Sequence, residues 1–338
     1  MRSRVLALYA FLIGVNLAAW AAAVAMFWSH PVLLGTALLA FTFGLRHAVD
    51  ADHICAIDNV TRKLMQDGRR PIGVGFFFSL GHSTVVVALS LAIAVAAAAV
   101  KVHLPQLQRV GALVGTSVSA AFLLLVAAIN LFVLVDIFAA FARARRGEKI
   151  EDQSVDALLD RRGLIGRFFR PLLRLVDHSW KMYPIGLLFG LGFDTATEVA
   201  LLGIAAVEAG KGLPVFAIVL FPLLFTAGMS LIDTTDGIVM VGAYGWAFVR
   251  PMRKLYYNLV ITLVSVLVAL IVGAVEVTSV VADHLSLNGG AWDAIKAVNE
   301  NFGALGFIII ALFIASWAVS VGVYKLLRYD ELEERTAV

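Results

Sequence analysis

The sequence predicts an all-α integral membrane protein of eight transmembrane helices. Three observations carry this. Of its 338 residues 61% are apolar and 15% charged, with a mean hydropathy of +0.90, against about half apolar and about a quarter charged in soluble domains. Apolar runs near the ~20 residues that a helix needs to cross a bilayer recur along the chain. Lys and Arg collect in alternate connecting segments. This balance excludes a soluble enzyme, a disordered chain and a nucleic-acid binder. The bilayer is the expected partner, and the net charge of +3 reads as a topology marker. The single cysteine, Cys55, leaves no disulfide framework and no Cys-rich metal site.

The elements follow in order. From Val5 to Leu45 there is no Asp, Glu, Lys or Arg. That run is too long for one span, and Ser29-His30-Pro31 divides it into helices one and two. Ala23-Val24-Ala25 resembles a signal-peptide cleavage site, but the apolar stretch before it, about 24 residues, exceeds the usual ~7–15, so helix one reads as an uncleaved span. The remaining spans read as 72–100, 110–136, 183–207, 213–245, 256–281 and 303–325. With the N-terminus inside, 22 of the 27 Lys and Arg fall in inside segments, 4 fall outside, and Arg46 lies within helix two. The positive-inside rule then places both termini in the cytoplasm of a multi-pass protein of the cytoplasmic (inner) membrane. Residues 1–141 hold helices one to four, 142–182 form a cytoplasmic linker, and 183–338 hold helices five to eight and a short tail. The linker carries charges of both signs and reads as solvated, its basic side near anionic lipid.

An internal repeat relates the two halves. Phe43-Gly44-Leu45 recurs as Phe189-Gly190-Leu191, each followed seven residues later by an acid, Asp52 and Glu198. Phe78-Ser79-Leu80-Gly81-His82-Ser83 parallels Phe225-Thr226-Ala227-Gly228-Met229-Ser230. The offsets, 146 and 147 residues, lay helices two to four over helices five to seven. Helix two runs inward and helix five outward, so the repeat is inverted (3+3), with helices one and eight outside it. This is the usual build of secondary transporters, whose site lies at the repeat interface near midplane.

An ionisable residue within a span is costly and marks function by default. Helix two carries His47, Asp50, Asp52 and His53; helix three His82; helix five Asp194 and Glu198; helix six Asp233 and Asp236; helix seven Glu276, near its outer end. Seven acids against Arg46 describe a pathway for cations. On one continuous helix His47, Asp50 and His53 share a broad face. Asp52 then points about 140° from His47 at 100° per residue, towards Arg46 or a hydroxyl. Asp194 and Glu198, at i and i+4, face one way; Asp233 and Asp236 lie at i and i+3. Imidazole plus carboxylate suits first-row divalent ions, which leaves Mn²⁺, Fe²⁺, Co²⁺, Ni²⁺ and Zn²⁺. The expected metal ligands are His47, Asp50, His53 and His82, with Asp52 holding a histidine or ligating. Asp194, Thr195, Glu198, Asp233, Asp236 and Arg46 are expected to gate the path or support the ligands. Gly44, Gly81, Gly190, Gly192 and Gly228 precede these residues and allow close helix packing.

Arg46-His47-Ala48-Val49-Asp50-Ala51-Asp52-His53-Ile54 resembles the second-helix signature, His-x4-Asp-His, of the nickel/cobalt transporter (NiCoT) family. Phe78 to Val86 (FSLGHSTVV), Leu191 to Glu198 (LGFDTATE) and Gly228 to Asp236 (GMSLIDTTD) are similar to that family's other signatures, in the same order along nearly the whole chain. The resemblance implies high-affinity, low-capacity uptake of Ni²⁺ or Co²⁺ as substrate, with no permanent cofactor. It also implies that His47, Asp50, Asp52, His53 and His82 matter for transport. The signatures decide neither between the two metals nor the oligomeric state.

No GxxxxGK[ST] motif occurs, so no ATP site is visible. An inside-negative potential contributes about 2.3 kcal/mol per charge per 100 mV. For a divalent ion that is about 4.6 kcal/mol, roughly a 2000-fold accumulation, which suffices without a coupling ion. An exporter of the same metals is the alternative; a membrane metalloenzyme is disfavoured by the absence of HExxH.

Overall fold

The computed structural model describes residues 2–95, 97–146, 176–191, 196–247 and 251–326, and its regular elements are all helical. They are α1 (Arg2–Phe27), α2 (Pro31–His47), α3 (Ala51–Gln66), α4 (Val74–Val95), α5 (Ala97–Arg145), α6 (Met182–Phe189), α7 (Ala196–Gly210), α8 (Val215–Ile218), α9 (Leu220–Ala247), α10 (Pro251–His284), α11 (Ala291–Glu300) and α12 (Phe302–Leu326). Six stretches are long and apolar enough to cross a membrane: Arg2–Phe27, Val74–Val95, Thr116–Arg143, Val215–Gly245, Tyr256–His284 and Ala304–Val323. The pair α2 and α3, bent by 51°, makes a seventh. The expected span 183–207 falls on α6 and α7, each short, with residues 192–195 between them outside the described residues. Most of the expected linker 142–182 also lies outside them. At its end, Asp177 accepts from Lys181 Nζ at 2.7 Å and from His178 at 2.8 Å. These bonds hold its carboxyl well below the usual carboxylate range.

One element departs from expectation. Helix two is not continuous: α2 ends at His47 and α3 begins at Ala51. Asp50 at the junction is extended, at φ −65° and ψ 148°. The last turn of α2 tightens, with Val49 N donating to Arg46 O and Asp50 N to His47 O at 3.0 and 2.9 Å. Irregular backbone at membrane depth is tolerated only where protein or a cavity surrounds it, and here protein does. Asp50, the N-cap of α3, and Asp52 in its first turn set negative charge against the positive end of the helix dipole.

α3 is the least apolar of the long inner helices and also the most enclosed. All its residues except Asp52 and Lys63 are buried. It packs against α9, α12, α10, α4 and α5. α1 and α12, by contrast, expose Leu6, Phe11, Leu17, Phe307, Ile308 and Ile314, as helices facing lipid do.

Two glycine crossings fix the site's surroundings. Where α2 meets α9, a Cβ on Gly44 would overlap the Phe225 carbonyl, and one on Gly228 would lie 2.8 Å from the Phe41 carbonyl oxygen. Where α4 meets α6, a Cβ on Gly81 would overlap the Tyr183 carbonyl, and one on Gly186 that of Phe78. In each pair a glycine sits on the carbonyl three residues before its partner glycine.

Candidate metal centre

The break between α2 and α3 brings the site together. His47 is the last residue of α2, Asp50 caps α3, and His53 lies in the first turn of α3. α4 supplies His82, α7 supplies Thr197 and Glu198, and α9 supplies Asp233. His47, Asp50, His53, His82, Glu198 and Asp233 are all buried.

His47, His53 and His82 each offer a nitrogen, and these three atoms lie within 4.8 Å of one another. His47 Nε2 and His82 Nε2 are 3.0 Å apart. A first-row ion held at about 2.0–2.1 Å by imidazole spaces neighbouring donors by roughly 3.0–3.4 Å, so this pair already has the separation of two ligands.

Carboxylates hold the rings. His47 Nδ1 donates to Asp50 Oδ2 at 3.0 Å, and Thr197 Oγ1 lies 3.4 Å from the same nitrogen. His53 Nδ1 donates to Asp233 at 3.3 Å. In both rings the Nδ1 bond leaves Nε2 to face a ligand, the arrangement in which an outer carboxylate fixes tautomer and orientation. His53 Nε2 and His82 Nδ1 have no partner among the described residues. His82 Nε2 lies 2.7 Å from Glu198 Oε1, which is also 3.8 Å from His47 Nε2. Phe78 packs edge-on against His53 at 4.8 Å between ring centroids, and Phe225 lies against His47 at 5.5 Å.

Asp52 and Asp236 are half-buried and stand outside the three-histidine group. Arg46 is exposed on α2. Glu276 is buried in α10 and accepts from Ser119 at 2.8 Å. Asp194 and Thr195 lie outside the described residues.

The positive-inside count takes Arg62, with Lys63, Arg69 and Arg70, as part of an inside segment between spans, and the structure corrects this for Arg62. Arg62 is buried in α3, together with Asp58, Asn59 and Gln66, so the interior holds one more acid and one more base than counted. The signal was present: no Gly or Pro separates His53 from Gln66, and Asp58 and Arg62 continue a helical spacing.

The chain matches, over residues 33–323, the family described as "High-affinity nickel-transport protein". It is 57% identical over 334 residues to the high-affinity nickel transport protein of Cupriavidus necator, a match covering 99% of this chain and 95% of that one. It is 46% identical over 301 residues to the nickel transporter NixA of Staphylococcus aureus, covering 89% and 88%. It is 43% identical over 288 residues to the cobalt transport protein NhlF of Rhodococcus rhodochrous, covering 84% and 81%. No solved structure matches the chain.

Proposed function

The chain belongs to the high-affinity nickel-transport protein family, and on that premise we propose that it takes up Ni²⁺ and/or Co²⁺ across the cytoplasmic membrane through the centre formed by His47, Asp50, His53 and His82. The family and the matched relatives are transporters, not enzymes. The observation that carries the reading is the convergence of three buried imidazole nitrogens, two of their rings held by carboxylates. Asp233 supports His53 from α9, and Glu198 of α7 faces Nε2 of His82 and of His47. Nitrogen donors with few carboxylates suit Ni²⁺ and Co²⁺ better than Mg²⁺ or Ca²⁺.

In this reading α6 and α7 complete an eighth span, both termini are cytoplasmic, and the membrane potential drives entry. An inverted repeat relates α2–α5 to α6–α10. Two things support it. α6 ends at Phe189 in a turn over Gly190 and Leu191, as α2 ends at His47, and the two glycine crossings share one reciprocal form. They differ by one helical turn: strict equivalence puts Gly190 opposite Phe78, where Gly186 is found. Alternating access in such folds exchanges the packings of the two halves.

The test is uptake of radioactive Ni²⁺ by cells producing the wild type or His47→Ala at equal membrane abundance. Uptake is expected to fall to background in the variant; equal uptake would overturn the ligand role.

A further inference from the structure

Beyond the metal centre, α3 carries a second buried group of polar residues. Asp58 accepts from Tyr244 Oη of α9 and from Ser265 Oγ of α10, the latter at 2.8 Å. Arg62 donates to Thr262 Oγ1 of α10 at 2.9 Å and to Asn59 Oδ1 at 2.8 Å. Asn59 Oδ1 also accepts from Asn130 of α5 at 2.8 Å. Asp58 is 0% exposed and Arg62 1%. Arg62 thus bonds neutral oxygens alone among the described residues, and its Nε has no partner there. A carboxylate and a guanidinium one turn apart are kept from each other by hydroxyls and amides on three other helices.

We propose that Asp58 and Arg62, with Tyr244, Ser265 and Thr262, form the cytoplasmic gate of the transport path. The gate rests on the reading of His47, His53 and His82 as the transported ion's site, with the basic turn at 67–73 inside. α3 begins at that site and runs to that turn. Across from it α9 carries Asp233 and Asp236, and near its end Val241 and Tyr244 share a core cluster with Met65 of α3. An ion leaving inward between α3 and α9 meets Asp58 and Tyr244 on its way.

The gate has two satisfied arrangements. Closed, as here, the bonds of Asp58 and Arg62 run outward and tie α3 to α9 and α10. When α9 and α10 part from α3, those bonds break. Asp58 and Arg62 stand at i and i+4 with the acid N-terminal, the favoured order for an ion pair on a helix, so they then pair along α3 itself. Neither charge is left unbonded in either state, which removes the large cost of an orphaned buried charge from the opening step. Ser265 and Thr262 are positioning residues: they act on the ion through α3.

Cys55 reports on this gate. It is the chain's only cysteine, is 1% exposed, and lies on α3 between His53 and Asp58. Membrane vesicles of both orientations are treated with a membrane-impermeant maleimide, and labelling of Cys55 is timed in the wild type, Ser265→Ala, Tyr244→Phe and Thr262→Val. The wild type is expected to label slowly from both faces. Each variant lacks one bond to a buried charge and is expected to label about ten-fold or more faster from the cytoplasmic face, with the outer face unchanged. A rate unchanged at both faces overturns the gate, and so does a rise of equal size at both, since that signals general loosening. Thr262→Val acts on Arg62 and the other two on Asp58, so a variant that fails to reach the membrane leaves the decision to the rest. Nickel uptake by His47→Ala is scored separately. Persistent uptake there would remove the site assignment, while sided labelling still judges the gate.

Discussion

His47, Asp50, His53 and His82 gain their chemistry from how their second atoms are occupied. Asp50 and Asp233 hold Nδ1 of His47 and His53, whereas Glu198 meets His82 at Nε2, the nitrogen that lies 3.0 Å from His47 Nε2. Removing such a support typically weakens metal binding about 10- to 100-fold. Asp233→Asn, close in shape, should therefore raise the half-saturating Ni²⁺ concentration by about that factor, whereas His47→Ala should abolish uptake. Concentration-dependent uptake curves separate the two behaviours, and an unchanged curve for Asp233→Asn would refute its supporting role. At this scale the histidines were legible in the sequence because a bilayer tolerates few polar groups without a reason. Asp58 and Arg62 were not. Arg62 counts with Lys63, Arg69 and Arg70 as an inside basic residue, and only the packing of α9 and α10 around α3 shows that it and Asp58 are enclosed. Which carboxylate meets which ring was illegible too, since Asp233 comes 180 residues after His53.

Among the elements, the broken second span is the feature that the residue pattern hid. Breaks are usually signalled by Gly or Pro, and Ala48-Val49-Asp50 has neither. The available signal was a cap: Asp50 followed by Asp52 reads equally as the start of a helix. The break also changes how the motif works, because His47 and His53 meet across a bend and not along one helical face. The glycines were legible as close-packing sites, and the structure gives Gly44, Gly81, Gly190 and Gly228 each a partner; Gly192 lies outside the described residues. Gly44→Ala drives a methyl into the Phe225 carbonyl, while Gly35→Ala, with nothing within 4 Å, meets open space. Overpacking costs roughly 1–3 kcal/mol. Thermal unfolding of the purified protein in detergent should thus show a clear loss of stability for Gly44→Ala and little change for Gly35→Ala. Equal melting of the two would mean that α2 and α9 are free to separate.

For the whole molecule, composition and hydropathy were enough to predict helices in a membrane, since nothing else accommodates 61% apolar residues in one chain of this kind. Seven of the eight expected spans have counterparts among the described residues, and the eighth falls on two short helices. In the proposed drive, where the charge of the ion is the only coupling, accumulation follows the potential. Proteoliposomes holding a 100 mV inside-negative potassium diffusion potential should concentrate Ni²⁺ by up to roughly three orders of magnitude, and collapse of the potential should return the ratio to one. Accumulation indifferent to the potential would exclude this drive.

The polarity of α3 bears finally on how the chain is made. A segment with Asp52, Asp58, Arg62 and Lys63 inserts poorly by itself, because each central charge costs about 2.5–3.5 kcal/mol at translocon-mediated insertion. The hydroxyls that satisfy it, on Tyr244, Thr262 and Ser265, are synthesised 186 to 207 residues later than their partners. During most of translation, then, residues 51–66 have no finished place in the bilayer. On the proposed topology they are expected to wait at its cytoplasmic surface until α9 and α10 arrive. A ribosome-bound chain ending near residue 215 should leave Cys55 open to a thiol reagent added from the cytoplasmic side, and one that includes α10 should protect it.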